Sequence, residues 1–226
     1  MKKIIPILLS ILMVLSLAAC AGNSNNPSES SSQNSTASTN ENKTESSNTS
    51  ASGATDSQPD DAETGKKVLV AYFSATGTTK KLAEYAADAM DAELYEIVPQ
   101  QPYTSADLDY GDKNSRSTKE MNDPGTRPEI NGSVENMADY DIVFIGYPIW
   151  WGEAPRIVST FMESYDFSGK TVVTFSTSGS SGHNDSSIQP LATGVNWITG
   201  TRFASNSSRD DMVEWINGLG LDIQEK

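Results

Sequence analysis

Cysteine and histidine are almost missing from this 226-residue chain, which has one of each. So few soft ligands exclude a transition-metal site built by the protein alone, and a single cysteine has no partner for an intrachain disulfide or a dithiol redox pair. Any redox chemistry must therefore be carried by an organic cofactor. Basic charge is scarce too: 16 Lys+Arg face 30 Asp+Glu, and from residue 66 onward the balance is 13 against 23, a net charge of −10. A surface of that sign repels phosphates, so no nucleic acid partner is expected. It suits a basic protein partner or plain solubility.

A hydrophobic run long enough to span a bilayer, roughly 20 residues, is also lacking. The apolar run from Ile4 to Leu17 is shorter, follows Lys2 and Lys3, and leads into Leu17-Ala18-Ala19-Cys20. That order is an export signal, and small residues directly before a cysteine form a bacterial lipoprotein box. The expectation is a signal peptide over residues 1–20, a lipid on Cys20, and a protein held outside the cytoplasm on the bacterial membrane. The competing reading of Cys20 is an ordinary thiol in an uncleaved N-terminal helix. Residues 21–65 have no aromatic residue and no aliphatic one but alanine. They cannot bury enough apolar surface to offset their ordering entropy, which marks a disordered linker. As a flexible coil the linker would span roughly 35 to 40 Å.

Residues 66–226 carry the pattern of one folded domain. Lys67 to Phe73 is a nearly continuous apolar run, as in a central parallel strand covered on both faces. Leu82, Ala83, Ala86, Ala87 and Met90 then recur at helical spacing, predicting a helix over 79–90. Further strands are predicted over 93–98, 141–146, 171–176 and 197–203, the last weakened by Gly200. Further helices are predicted over 155–163, 186–191 and 210–219. Alternating strands and helices imply right-handed crossovers and an α/β fold, a five-stranded parallel sheet with helices on both faces. Residues 99–131 break the alternation and read as a long structured excursion.

Ligands gather at the carboxyl ends of such strands, and three loops emerge there. Ser74-Ala75-Thr76-Gly77-Thr78-Thr79 offers four hydroxyls, a glycine and the N–H groups of a helix start, which suits a phosphate without a basic side chain. It has neither the lysine of a triphosphate-binding loop nor a dinucleotide fingerprint. The competing reading is a simple turn with Thr78 or Thr79 as helix cap. Tyr147-Pro148-Ile149-Trp150-Trp151-Gly152 follows the third predicted strand. Its paired tryptophans make either a flat wall for a planar ring or ordinary core. Thr177-Ser178-Gly179-Ser180-Ser181-Gly182-His183 brings backbone donors and acceptors close to such a ring. His183 is either near the ring edge or an exposed bystander. It lies beside Ser180 and Ser181, but no Gly-x-Ser-x-Gly elbow accompanies it. Glu153 either touches the ring or caps the helix that follows.

Together these motifs resemble the flavodoxin family, within it the short-chain flavodoxin-like proteins related to flavin and quinone reductases. The resemblance rests on Tyr72 to Thr79, on Pro148 to Gly152 with Ala154-Pro155, and on Thr177 to Gly182. Less specific matches are Tyr103, Asp109, Tyr110, Arg116, Glu120, Asn122 and Arg127-Pro128 in the excursion. It implies a flavodoxin-like three-layer sandwich that binds flavin mononucleotide, FMN. Ser74 and Thr76, Gly77, Thr78 and Thr79 would hold the phosphate. Pro148, Ile149, Trp150, Trp151 and Gly152 would flank the isoalloxazine ring from one side, Thr177, Ser178, Gly179, Ser180, Ser181 and Gly182 from the other. Gly152 is similar in position to the family glycine whose carbonyl faces flavin N5, and Trp151 to a stacking aromatic. Ser180 stands where relatives often carry a second glycine. The implied activity is electron transfer to a quinone or other small acceptor, drawing on a membrane quinol or redox protein. A flavodoxin-type carrier between proteins and a non-redox lipoprotein with a vestigial flavin site are the alternatives.

Overall fold

The computed structural model describes residues 65–223. The proposed signal peptide, Cys20 and most of the linker lie outside the described residues.

Five parallel strands form the central sheet in the spatial order β2-β1-β5-β6-β7: β1 (Val68–Tyr72), β2 (Glu93–Glu96), β5 (Ile142–Pro148), β6 (Thr171–Thr177) and β7 (Asn196–Phe203). A short antiparallel pair, β3 (Val98–Pro99) with β4 (Ile130–Asn131), stands apart from it. The chain steps from β1 outward to β2 and then returns to the other side of β1 with β5. The switch in strand order therefore falls between β1 and β5, where a crevice opens beyond the strand ends.

Strand alternation divides the apolar residues between two cores, one on each face. On β1, Val68, Val70 and Tyr72 pack with α1 (Thr78–Met90) and α4 (Arg209–Gly218), while Leu69, Ala71 and Phe73 pack with α3 (Arg156–Glu163). On β5, Ile142 and Phe144 go with the first set, and Val143, Ile145 and Tyr147 with the second. This is why both strands read as unbroken apolar runs. α1 buries Leu82, Ala83, Ala86, Ala87 and Met90 as its spacing predicts. A capping box at α4 has the Ser208 hydroxyl accepting from the Asp211 N–H at 3.2 Å, while the Asp211 carboxylate accepts from the Ser208 N–H at 2.7 Å. It begins the last helix one residue earlier than expected.

Two expectations are corrected. The helix predicted over 186–191 shrinks to a single 3₁₀ turn at Gln189–Leu191, since Pro190 lacks the N–H that a longer helix would need. The excursion also contains a helix, α2 (Arg116–Asn122), which hydrophobic periodicity does not reveal. It is held mainly by polar contacts. The Ser115 hydroxyl caps it by accepting from the Thr118 N–H at 3.3 Å, the Ser117 hydroxyl donates to the Asp107 carbonyl at 2.6 Å, and the Thr118 hydroxyl donates to the Asp112 carbonyl at 3.0 Å. Met121 pins it to the core beside α3. The β3–β4 pair closes the base of the excursion, with the Gln100 N–H donating to the Glu129 carbonyl at 2.8 Å.

Gly200 does more than weaken β7. Val173 pairs with Ile198 but Phe175 with Thr201, so β7 carries one extra residue and bulges there. A Cβ on Gly200 would stand 2.0 Å from the Thr174 carbonyl oxygen and 2.6 Å from the His183 ring. Gly200→Ala must therefore push two strands apart, and chemical denaturation should show a loss of about 1–3 kcal/mol.

Candidate functional site

The first loop turns on Gly77, whose φ of +86° places it in the left-handed region and whose N–H donates to the Ser74 hydroxyl at 3.1 Å. Gly77 is the cap residue of α1, and no side chain caps that helix. The cap reading of Thr78 and Thr79 therefore gives way. Thr79 is buried, and its hydroxyl is 2.8 Å from that of Thr177, which ties the first loop to the third. The second loop is fixed to the third by the Ile149 N–H, which donates to the Thr177 carbonyl at 2.9 Å. Beyond them, the Ser178 N–H reaches the Phe203 carbonyl at 3.3 Å and the Arg202 guanidinium donates to the Ser178 carbonyl at 3.1 Å. The three loops are thus joined at their base before any ligand arrives.

Between them lies a cavity of about 240 Å³. Ser74, Thr76, Thr78 and Thr79 line one end, Pro148, Ile149 and Trp150 one side, and Thr177, Ser178 and Gly179 the other. Gly77, Trp151, Gly152, Ser180, Ser181 and Gly182 belong to the same loops but are not part of its lining. The lining also includes Ala75, Leu108, Tyr110 and Ser205, none of which the loop motifs single out. Leu108 and Tyr110 give the excursion a place in the site: it supplies one wall.

The paired tryptophans do not form one flat wall. Trp150 is 2% exposed and packs edge-on to Phe73 and Tyr103, with ring centroids 5.5 and 5.2 Å apart. It is core that also floors the cavity. Trp151 is 42% exposed, and its ring meets Tyr110 at 4.7 Å. The reversal arises in a tight turn: Trp150 and Glu153 exchange backbone hydrogen bonds of 2.9 Å, with Trp151 at φ 48° and Gly152 at φ 85° between them. Left-handed values at both central positions mark a type I′ turn. Glycine takes this conformation freely, but for tryptophan it costs about 1–2 kcal/mol.

The chain matches the flavodoxin family model over residues 67–219. It belongs to the flavodoxin family. It resembles the crystal structure of a candidate flavoprotein from Bacteroides eggerthii DSM 20697, at 47% identity over 69% of this chain and 99% of the other, with a TM-score of 0.65. A second, from Bacteroides uniformis ATCC 8492, is 46% identical over 68% and 99% of the two chains, TM-score 0.61. A flavoprotein from Lactobacillus acidophilus NCFM, solved in complex with FMN, is 26% identical over 66% and 97%, TM-score 0.50. No protein among those with curated descriptions matches.

In this flavodoxin-family domain His183 is neither an exposed bystander nor part of the cavity lining. Its ring lies 2.9 Å from the Thr174 hydroxyl on one side and 2.9 Å from the Ser176 hydroxyl on the other. Ser176 is fully buried, out of reach of a substrate, and no hydrogen bond joins the histidine to Ser180 or Ser181. The cluster substitutes for a covering helix: with only a 3₁₀ turn between β6 and β7, the loop folds back and plugs this face of β6. Burial, then the nearby Asp185 charge, pushes the Tyr147 hydroxyl far above the usual phenol range.

The Asp185 carboxyl is held below its ordinary range, first by the His183 ring, whose Nε2 is 3.6 Å away, and also by the Thr174 and Gln189 side chains, against the opposing effect of burial. The Thr174 hydroxyl donates to it at 3.0 Å. A carboxylate with a depressed folded-state pKa adds stability above its unfolded value, about 3.9. That contribution disappears as pH falls through the folded value. Denaturation of Asp185→Asn from pH 7 to pH 2 should accordingly show lower stability near neutrality, with the difference from wild type closing in acid.

Glu153 does not cap α3: its carboxylate accepts from the Arg156 guanidinium at 3.0 Å, and Pro155 is the cap residue. Arg156 is buried and also donates to the Met121 carbonyl at 3.0 Å, which ties the end of α2 to the start of α3. The neighbouring Tyr103 hydroxyl donates to Glu120 at 2.5 Å, and the Arg116 guanidinium stands 4.1 Å above the Tyr103 ring. The Tyr103 phenol is pushed well above its usual range, chiefly by burial and then by this bond to Glu120. These contacts fix the excursion wall against the second loop.

Proposed function

We propose that this chain is an FMN-binding flavodoxin-like oxidoreductase, tethered outside the cytoplasm through a lipid on Cys20, that passes electrons to a quinone or other small acceptor. One observation carries the reading: a single cavity has hydroxyls and an uncapped helix start at one end and apolar and aromatic side chains along its flanks. An uncapped helix N-terminus presents N–H groups and a positive dipole end to a phosphate. Ile149, Leu108 and Tyr110 suit a planar ring. A Cβ on Gly179, which lines the cavity, would meet nothing within 4 Å, so this position leaves room for a ligand.

When bound, FMN supplies the electron chemistry. The protein's own residues hold the phosphate, position the ring and limit access to it. Aromatic contact and the acidic domain would disfavour the anionic reduced ring, giving a low potential. With soluble nicotinamide cofactors scarce outside the cytoplasm, a membrane quinol or redox protein is the donor in this reading. Steady-state turnover of quinones by the FMN-loaded protein is the test. Saturable turnover supports an oxidoreductase, while FMN binding without turnover points to a carrier between proteins.

A further inference from the structure

Arg202 stands outside the three loops, on β7, but one of its bonds reaches the cavity wall. It is half-buried and pairs in register with the fully buried Ser176. Its guanidinium donates to the Ser178 carbonyl at 3.1 Å, and the Ser178 N–H donates to the Phe203 carbonyl at 3.3 Å. Both backbone groups of Ser178 are thus tied to β7. Arg202 makes no ion pair among the described residues, so no neighbouring carboxylate cancels its charge.

A trans peptide is planar, with its C=O and N–H pointing in opposite directions. The Ser178 carbonyl faces Arg202, which is not part of the cavity lining, whereas Ser178 and Gly179 are. The Gly179 N–H, on the same peptide unit, consequently points away from Arg202. It has no hydrogen-bond partner among the described residues, and the space beside its Cα is open. A cation bound to the carbonyl also polarises the peptide and makes its N–H a stronger donor.

We infer that Arg202 is a positioning residue that presents the Gly179 N–H to the cavity and, through that peptide and its own charge, favours the anionic reduced form of bound FMN over the oxidised form. The inference rests on the FMN reading above. Reduction by two electrons with uptake of one proton at N5 leaves one negative charge on the ring, spread over its pyrimidine half. The neutral oxidised ring gains only an ordinary hydrogen bond from Gly179, while the anion gains a charge-assisted one and the attraction of the guanidinium. Arg202 therefore offsets part of the fall in potential that the acidic domain imposes.

The test uses Arg202→Met, which keeps the reach of the side chain without its charge or donors, and Arg202→Lys, which keeps the charge. Each is loaded with FMN and titrated with dithionite against a dye of known potential. In Arg202→Met the preference for reduced over oxidised FMN should drop about tenfold, the lower end of what a hydrogen bond to a charged group contributes, which lowers the two-electron potential by about 30 mV. Arg202→Lys should stay within about twofold of wild type. Amide hydrogen exchange at Gly179, followed by NMR in the wild-type protein, needs no variant: it should be fast without FMN and slow with FMN bound. A potential at or above wild type in folded, FMN-bound Arg202→Met, a lysine variant that falls as far as methionine, or a Gly179 amide that FMN leaves unprotected overturns the inference. Wild-type protein that binds no FMN overturns the functional reading and this inference with it.

Discussion

Gly77→Asp is expected to weaken FMN binding by at least about 100-fold, measured by quenching of flavin fluorescence. Two effects act together. A non-glycine residue at φ +86° costs about 1–2 kcal/mol, and a carboxylate about 4 Å from a phosphate adds repulsion of about 4 kcal/mol per unit charge at the effective dielectric of a protein surface. The second effect is specific to the ligand, because in the free protein an acid at a helix start is favourable. Gly77→Ala separates the two. It bears the backbone cost without the charge, so its stability should fall by about 1–2 kcal/mol while FMN binding drops far less than in the aspartate variant. Equal binding losses for alanine and aspartate would show that the loop holds no phosphate.

Trp150→Ala and Trp151→Ala should differ sharply although the residues are neighbours. Trp150 is core, and truncating a buried tryptophan costs about 3–5 kcal/mol. In a domain of this size that lowers the melting temperature by about 6–20 °C. Trp151 contributes little to the core, and its replacement should leave stability within about 1 kcal/mol of wild type while weakening FMN binding about 2- to 10-fold by removing the ring that packs against Tyr110 in the cavity wall. Thermal melts with and without FMN would check both. Equal melting temperatures for the two apo variants would contradict the assignment of Trp150 to the core.

The same tryptophans mark where sequence stops being informative. Lys67 to Phe73 and Asp141 to Gly146 announce buried strands because both of their faces are covered, and α1 because its apolar stripe is unbroken. The first two candidate loops follow directly from those strands and the third from β6, since a parallel sheet fixes which ends of its strands share an edge. What Trp150 and Trp151 each do depends on a turn whose left-handed tryptophan no propensity favours. α2 was hidden for a related reason: its buried face is Ser117, Thr118 and Glu120 with Met121, so its partners are hydrogen bonds and not apolar neighbours. Tyr110 and Ser205 enter the cavity from segments remote in sequence. Gly200 looked like a weak point in a strand, and only the register of β6 against β7 shows that a bulge and the His183 contact require it.

The central claim is that three joined loops form one FMN site. Titrating the purified apo-protein with FMN and following fluorescence quenching and the shift in the flavin absorption bands tests it most directly. One FMN per chain should bind, tightly enough to survive gel filtration, with riboflavin much weaker for want of a phosphate. A colourless protein that FMN cannot reconstitute, or equal affinity for FMN and riboflavin, would contradict the account.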